Sequence, residues 1–223
     1  MTPARAGSAE PGLIQKKLRL LMELRRAGIG DTRVLGAIEN TPREKFVPAS
    51  FEDQAYENTA LPIGNGQTVS QPYVVALMTE KLELGSRQSA LEIGTGSGYQ
   101  AAILARLAGH VLTIERFRTL ADRARARLAK LGCDNVEVML GDGFDVPAEA
   151  GNFDRIVVTA AMEQIPDALG QRLEPEGVLI APVGPQQGTQ TLIRMVRTDA
   201  GIERKELVDV RFVPALPGIA REL

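Results

Sequence analysis

From Ser89 onward the chain alternates short apolar runs with stretches of helical character, and this alternation constrains its fold more than any other feature. The runs are Ala90 to Ile93, His110 to Ile114, Val136 to Leu140, Arg155 to Thr159 and Val178 to Val183. Short continuous runs separated by helices belong to parallel strands buried on both faces. The pattern predicts an α/β fold with a mostly parallel, doubly wound sheet. Farther on, Thr191 to Arg197 and Glu206 to Val213 read as strands with little helix between them, which predicts antiparallel C-terminal strands at one edge. A chain of 223 residues buries about 70% of its unfolded surface and needs no metal or disulfide staple.

Ahead of this region the pattern is helical. In Leu13 to Ala27 (LIQKKLRLLMELRRA), Ile14, Leu18, Leu21 and Met22 fall on one face, giving an amphipathic helix ended by Gly28. A second helix fits Thr32 to Glu39, and Asn40-Thr41-Pro42 ends it and caps a third. Thr59 to Thr79 carries no charge but contains Pro62, Gly64, Gly66 and Pro72, so it cannot span a membrane as a helix. Leu61 to Gln71 reads as an uncharged loop leading into a helix from Pro72 to Leu82. Met1 to Gly12 reads as a disordered tail without the apolar core of a signal peptide. Leu13 to Leu223 is then one domain with an N-terminal helical addition.

Composition excludes several chemistries. With 26 Lys+Arg against 28 Asp+Glu, the chain lacks the basic excess of a nucleic-acid binder. The basic run of Arg116, Arg118, Arg123, Arg125, Arg127 and Lys130 shares a helix with the apolar Ala121, Ala124, Leu128 and Leu131, so it reads as a solvated outer face. Cys133 is the single cysteine and His110 the single histidine. Neither an intrachain disulfide nor a thiolate-cluster or two-His metal site can form, and no metal is expected. One cysteine suits the cytoplasm. His110 opens a strand and reads as structural.

The strongest local signal is LEIGTGSGY, Leu91 to Tyr99, where a buried strand runs into Gly94, Gly96 and Gly98 and then into a helix. Such glycines let the backbone turn sharply and let a ligand approach the peptide groups. The dinucleotide fingerprint needs its third glycine at position 99, which is Tyr99, so a nicotinamide or flavin is disfavoured. The next strand ends in Glu115, placed to accept hydrogen bonds from ribose hydroxyls. The third ends in Gly141-Asp142-Gly143, where a carboxylate and a bare amide can read an adenine edge. Each alone is equally a tight turn or a solvated strand end. In order, at consecutive strand ends, they predict a nucleoside site.

Leu61 to Tyr73, LPIGNGQTVSQPY, resembles the substrate loop of the protein-L-isoaspartate (D-aspartate) O-methyltransferases. The resemblance extends over most of the chain through PREKFVP (Pro42 to Pro48), LEIGTGSGYQAA, LTIER, GDG, FDRIVVTAA (Phe153 to Ala161), PVG (Pro182 to Gly184) and VRFVP (Val210 to Pro214). It implies a Rossmann-like S-adenosylmethionine-dependent methyltransferase fold. The implied reaction is methyl transfer from S-adenosyl-L-methionine to the free α-carboxylate of L-isoaspartyl residues in damaged proteins, leaving S-adenosyl-L-homocysteine. The ester then closes to a succinimide that opens partly to aspartate. Activity on D-aspartyl residues stays open. Carried over by motif, Ser70 is the active-site serine. Glu92, Gly94, Thr95, Gly96 and Gly98 surround the methionine part of the cofactor, Glu115 the ribose, and Asp142 with Gly143 the adenine. Ile63, Gly64, Asn65 and Gly66 close over it, and Val213 lies beside the substrate backbone; independently of the resemblance, Thr68 and Gln71 in the uncharged loop are expected to offer the substrate neutral hydrogen bonds. A monomer with no nucleic-acid or membrane partner is expected.

Physical chemistry supports such a site. A carboxylate with a pKa near ~4 is already an anion at neutral pH, so no general base is required. Ser70 also reads as a helix N-cap before Pro72, and both roles can coexist. The chain departs from the family pattern at Met162 (usually proline), Glu176-Gly177 (usually two glycines) and Ala215 (usually leucine), and Met162 and Ala215 are expected at the substrate mouth. The alternatives are a small-molecule or RNA methyltransferase and a non-catalytic nucleoside-binding module.

Overall fold

The computed structural model describes residues 11 to 221. Its N-terminal part holds α1 (Pro11–Arg26), α2 (Thr32–Glu39), two 3-10 turns (Arg43–Phe46 and Ala49–Gln54), a hairpin of β1 (Leu61–Gly64) and β2 (Gln67–Val69), and α3 (Pro72–Leu82). There follow β3 (Ser89–Ile93), α4 (Tyr99–Ala105), β4 (His110–Glu115), α5 (Arg118–Lys130), β5 (Val136–Leu140), β6 (Phe153–Val158), α6 (Asp167–Gln171), β7 (Leu173–Val183), β8 (Gln190–Thr198) and β9 (Gly201–Val210). The last seven strands form one sheet in the order β5-β4-β3-β6-β7-β8-β9. The strands β3 to β7 are parallel, while β8 and β9 are antiparallel to their neighbours, as the helix-poor C-terminal region predicts.

Alternation within each strand builds two cores. Ala90, Val111, Val157, Val178 and Ile180 face the cluster that also contains residues of α1 to α5. Leu91, Leu112, Ile156, Val158 and Leu179 face the other, closed by Leu169 of α6 and by Phe144 and Val146. With period-two side chains buried on both faces, each run reads as continuously apolar. The chain leaves β3 toward β4 and β5, then returns to place β6 on the other side of β3. That reversal opens a crevice at the strands' carboxyl ends.

Three expectations change in the N-terminal part. Residues 1 to 10 of the expected tail lie outside the described residues, and Pro11 and Gly12 open α1. Of the apolar face assigned to α1, Ile14, Leu18 and Met22 are about half exposed, whereas Leu20 and Leu24 are buried. Two apolar stripes share this helix, and docking of α1 on α2 and α3 selects the second. The third helix is a 3-10 turn entered from Pro42 without a side-chain cap, because the Thr41 hydroxyl donates backwards to the Ala37 carbonyl at 2.7 Å.

The uncharged loop is also more regular than expected, since Leu61 to Val69 forms an antiparallel hairpin. Asn65 and Gly66 both have positive φ, 50° and 68°, the requirement of a two-residue turn matched to strand twist. The Asn-Gly pair flanked by LPI and QTV was the available signal. The helix after it, Pro72–Leu82, has the predicted bounds.

Candidate active site

The crevice holds a cavity of about 390 Å³ at the carboxyl ends of β3, β4 and β6. Its floor is the turn after β3. Thr159, just past β6, donates its hydroxyl to the carbonyls of Gly94 (2.6 Å) and Ile93 (3.0 Å). A Cβ on Gly94 would lie 2.5 Å from that hydroxyl, and φ there is 98°, so the position requires glycine. A Cβ on Gly143 would run into Ile93 Cγ2, which accounts for the second bare position.

Glu115 ends β4 beneath this turn. Its Oε2 accepts the Gly96 N–H at 2.7 Å and its Oε1 the Phe117 N–H at 3.0 Å, so the carboxylate and the glycine loop hold each other in place. Burial raises its pKa, and those backbone donors oppose the rise. Glu92, on β3, is 0% exposed. Thr113 donates its hydroxyl to Glu92 Oε2 at 2.6 Å, and Thr95 and Thr113 hydroxyls lie 2.6 Å apart. Glu92 Oε1 has no partner among the described residues. Burial pushes the Glu92 carboxyl up to about 8, so it is largely protonated at neutral pH.

Of the residues singled out from sequence, Asn65, Gly66, Thr68, Ser70, Glu92, Gly94, Thr95, Gly96, Glu115, Gly143 and Val213 line this cavity. Ile63, Gly64, Gly98, Gln71 and Asp142 stand off its wall. Ile63 packs against Gly96, Gly64 leads into the hairpin turn at φ 123° and Gly98 turns the chain into α4 at φ 86°. Asp142 accepts the Phe144 N–H at 2.8 Å and the Gly218 N–H at 2.6 Å, tying the chain's C-terminal segment to the strand end. Thr159, Phe117 and Phe144 line the cavity and were not singled out. Each follows a strand end, so the signal that found Glu115 would have found them.

A second cavity of about 700 Å³ adjoins the first, lined by Asn58, Gln71, Tyr73, Asp209, Arg211 and Phe212 among others. Thr68, Ser70, Thr159 and Val213 belong to both walls. Ser70 therefore stands at the passage between them. Its capping role is not found: the residue preceding α3 is Gln71, which makes no side-chain cap bond, and Asn58 Oδ1 accepts the Tyr73 N–H at 2.9 Å. Asn65 Nδ2 donates to Thr119 Oγ1 at 2.9 Å, drawing the hairpin tip toward α5.

Other expectations are modified by packing. Met162 is buried and bridges to Val183, away from both cavities, while Ala215 lines the first cavity and not the second. The basic face of α5 is not wholly solvated: Arg127 donates to the Ser97 carbonyl at 2.6 Å and Arg125 to the Val138 carbonyl at 2.8 Å. His110 starts β4, at the end of the strand away from the cavity. Among the described residues no cluster of three or more His, Cys, Asp or Glu could hold a metal ion, and no helix is long and apolar enough to cross a membrane.

A Rossmann-like sheet with a glycine turn after its first strand, a buried acid after its second and a cavity at the switch point defines the class: an S-adenosylmethionine-dependent methyltransferase fold. A family model described as protein-L-isoaspartate (D-aspartate) O-methyltransferase matches residues 15–219, and the chain belongs to that family. A protein-L-isoaspartate O-methyltransferase of Nitrobacter winogradskyi is 67% identical over 208 residues, 93% of this chain and 96% of the relative. One from Parvibaculum lavamentivorans is 52% identical over 210 residues, 93% of this chain and 95% of the relative. Among solved structures, the Plasmodium falciparum family member in complex with S-adenosyl-L-homocysteine superposes with a TM-score of 0.78 at 28% identity, covering 89% of this chain and 97% of that one.

Proposed function

We propose that the two adjoining cavities carry out the family's reaction, transfer of a methyl group from S-adenosyl-L-methionine to the α-carboxylate of L-isoaspartyl residues in damaged proteins. The observation that carries this reading is the position of Ser70, with Thr68, Thr159 and Val213, on the shared wall of a nucleoside-sized cavity and a second, open one.

The donor, when bound, supplies an activated methyl on a sulfonium. Gly94, Thr95, Gly96 and Glu92 would hold its methionine part and Glu115 its ribose. Gly143 would face the adenine, with Asp142 behind it. The residues fit such a guest. The Glu92 oxygen that has no partner among the described residues offers the guest a hydrogen-bonding group, and glycine at 94 and 143 lets the two turns lie close against Thr159 and Ile93 on the cavity wall.

The chain's remaining work is alignment and exclusion of water, worth roughly 7 to 11 kcal/mol when reacting atoms are held in line. Ser70 orients the acceptor carboxylate at the passage. Thr68 and Gln71 add neutral hydrogen-bonding groups, and Val213 borders the acceptor backbone. Neutral groups suit this position because a fixed charge would compete with the donor or acceptor for its partner. The hairpin Leu61–Val69, bound at its tip to Thr119, lines the first cavity and would cover the donor there.

The match over residues 15–219 supports reading the chain from Leu13 onward as one catalytic domain. The single cysteine supports a cytoplasmic site of action, and we take the chain to act as a monomer. The test is methylation of an isoaspartyl peptide beside its aspartyl twin. Incorporation into the isoaspartyl peptide alone is expected. Equal labelling of both, or of neither, would overturn the reading.

A further inference from the structure

Arg43, in the 3-10 turn Arg43–Phe46, is 0% exposed. No carboxylate pairs with it among the described residues, and adjacent Glu44 accepts the Tyr56 hydroxyl at 2.6 Å instead. Its Nη2 donates to the Ser70 carbonyl at 2.9 Å and to the Thr59 carbonyl at 3.3 Å. Those carbonyls lie just before and just after the β1–β2 hairpin. One guanidinium therefore closes the base of the element that covers the first cavity and carries Ser70 at its foot.

The same group reaches the glycine turn. Its guanidinium carbon lies 4.7 Å from the centroid of the Tyr99 ring, and Tyr99 is the first residue of α4, directly after Gly98. Tyr99 meets Phe46 edge to face, with ring centroids 5.3 Å apart. Arg127 lies over the other ring of that pair, 5.6 Å from the Phe46 centroid, and donates to the Ser97 carbonyl within the glycine turn at 2.6 Å. An arginine–aromatic stack thus connects the carbonyl of Ser70 to the carbonyl of Ser97. Cation–π contacts of this kind strengthen when desolvated.

A buried charge without a carboxylate is costly, and an apolar side chain of similar volume often fills such a place with equal or better stability. Two further nitrogens of Arg43, Nε and Nη1, have no hydrogen-bond partner among the described residues, which adds to the cost. Packing alone does not account for an arginine here. We propose that Arg43 is a positioning residue for methyl transfer: it fixes the Ser70 backbone and the hairpin base against Tyr99, and so sets the acceptor side of the site in register with the glycine turn. This deepens the function proposed above and rests on it.

The full chain is compared with Arg43→Lys and Arg43→Met. Lysine can still donate to both carbonyls but cannot stack as a plane on Tyr99; methionine fills space and does neither. The expected order of kcat on an isoaspartyl peptide is wild type, then Lys, then Met. The Met variant should fall about tenfold or more, with S-adenosylhomocysteine affinity changed by less than about threefold and a melting temperature not below that of Lys. Wild-type kcat in both variants, or a Met variant as fast as Lys, would overturn the proposal. Should Met fail to fold, Lys decides alone by whether kcat drops while product affinity holds. Amide hydrogen exchange over residues 61 to 70 reads the clamp without turnover. It should accelerate most in Met, which loses both donations to the hairpin base, and an unchanged rate there counts against Arg43. A wild-type enzyme inactive on the peptide sinks the proposed function instead, with the exchange result still deciding the clamp.

Discussion

Asn58 satisfies the first turn of α3 by accepting the Tyr73 N–H, so the hydroxyl of Ser70 is free of that duty. Ser70→Ala should then lower methyl transfer while leaving the melting temperature nearly unchanged. Asn58→Ala should cost about 1 kcal/mol of stability, and thermal melts beside a methylation assay check both. Ser70→Asp should fold and lose activity, through repulsion between carboxylates. Glu92 sets a pH dependence at the same scale. Its folded pKa, about 8, lies above the ordinary glutamate value because burial disfavours the charged form. The folded protein holds a proton that the unfolded chain releases between pH ~4.5 and ~8. Stability from this group is therefore present at low pH and lost as pH rises through about 8. Glu92→Gln should flatten that loss, read as a smaller fall in melting temperature between pH 5.5 and 8.5 in protein without cofactor.

Glu176 has φ 60° within β7, at a position where the sequence resemblance leads one to expect glycine. The strand pairing slips beside it, with Phe153 opposite Leu173 but Arg155 opposite Val178. A left-handed glutamate at this bulge carries strain that glycine does not. Glu176→Gly should stabilise the protein by about 0.5–1 kcal/mol, seen in calorimetric unfolding, with activity unchanged because the residue lines neither cavity. The α1 helix teaches a different lesson about elements. Its existence is legible from 3.6-residue periodicity, but Ile14-Leu18-Met22 and Leu20-Leu24 compete as the buried stripe. Only the docking of neighbouring helices separates them.

Across the molecule, the first cavity is closed by chain far from the glycine turn in sequence. Ala161 N–H donates to the Val213 carbonyl at 2.8 Å and Ala215 N–H to the Ala161 carbonyl at 2.7 Å. Arg116 Nε donates to the Gly218 carbonyl at 3.0 Å while Asp142 accepts the Gly218 N–H. Leu216 thereby reaches the cavity wall. Removing the carboxylate in Asp142→Ala should free this segment. The expected results are faster proteolysis beyond Pro214 and a loss of S-adenosylhomocysteine affinity worth about 1.5 kcal/mol or more. An unchanged digestion pattern would place Asp142 outside the closure.

What the sequence determined by itself is what local covalent structure encodes. The apolar runs mark the strands, Gly94, Gly96 and Gly98 mark a turn with positive φ, and Glu115 marks the next strand end. Each depends on sterics and burial within a few residues. Only the tertiary structure decided which strand lies beside β3, which stripe of α1 is buried, that Asn58 rather than Ser70 caps α3, and that Arg43 sits beneath Ser70. These are contacts between segments distant in the chain. They are selected by how elements pack and close loops on one another, and no one-dimensional periodicity records that choice.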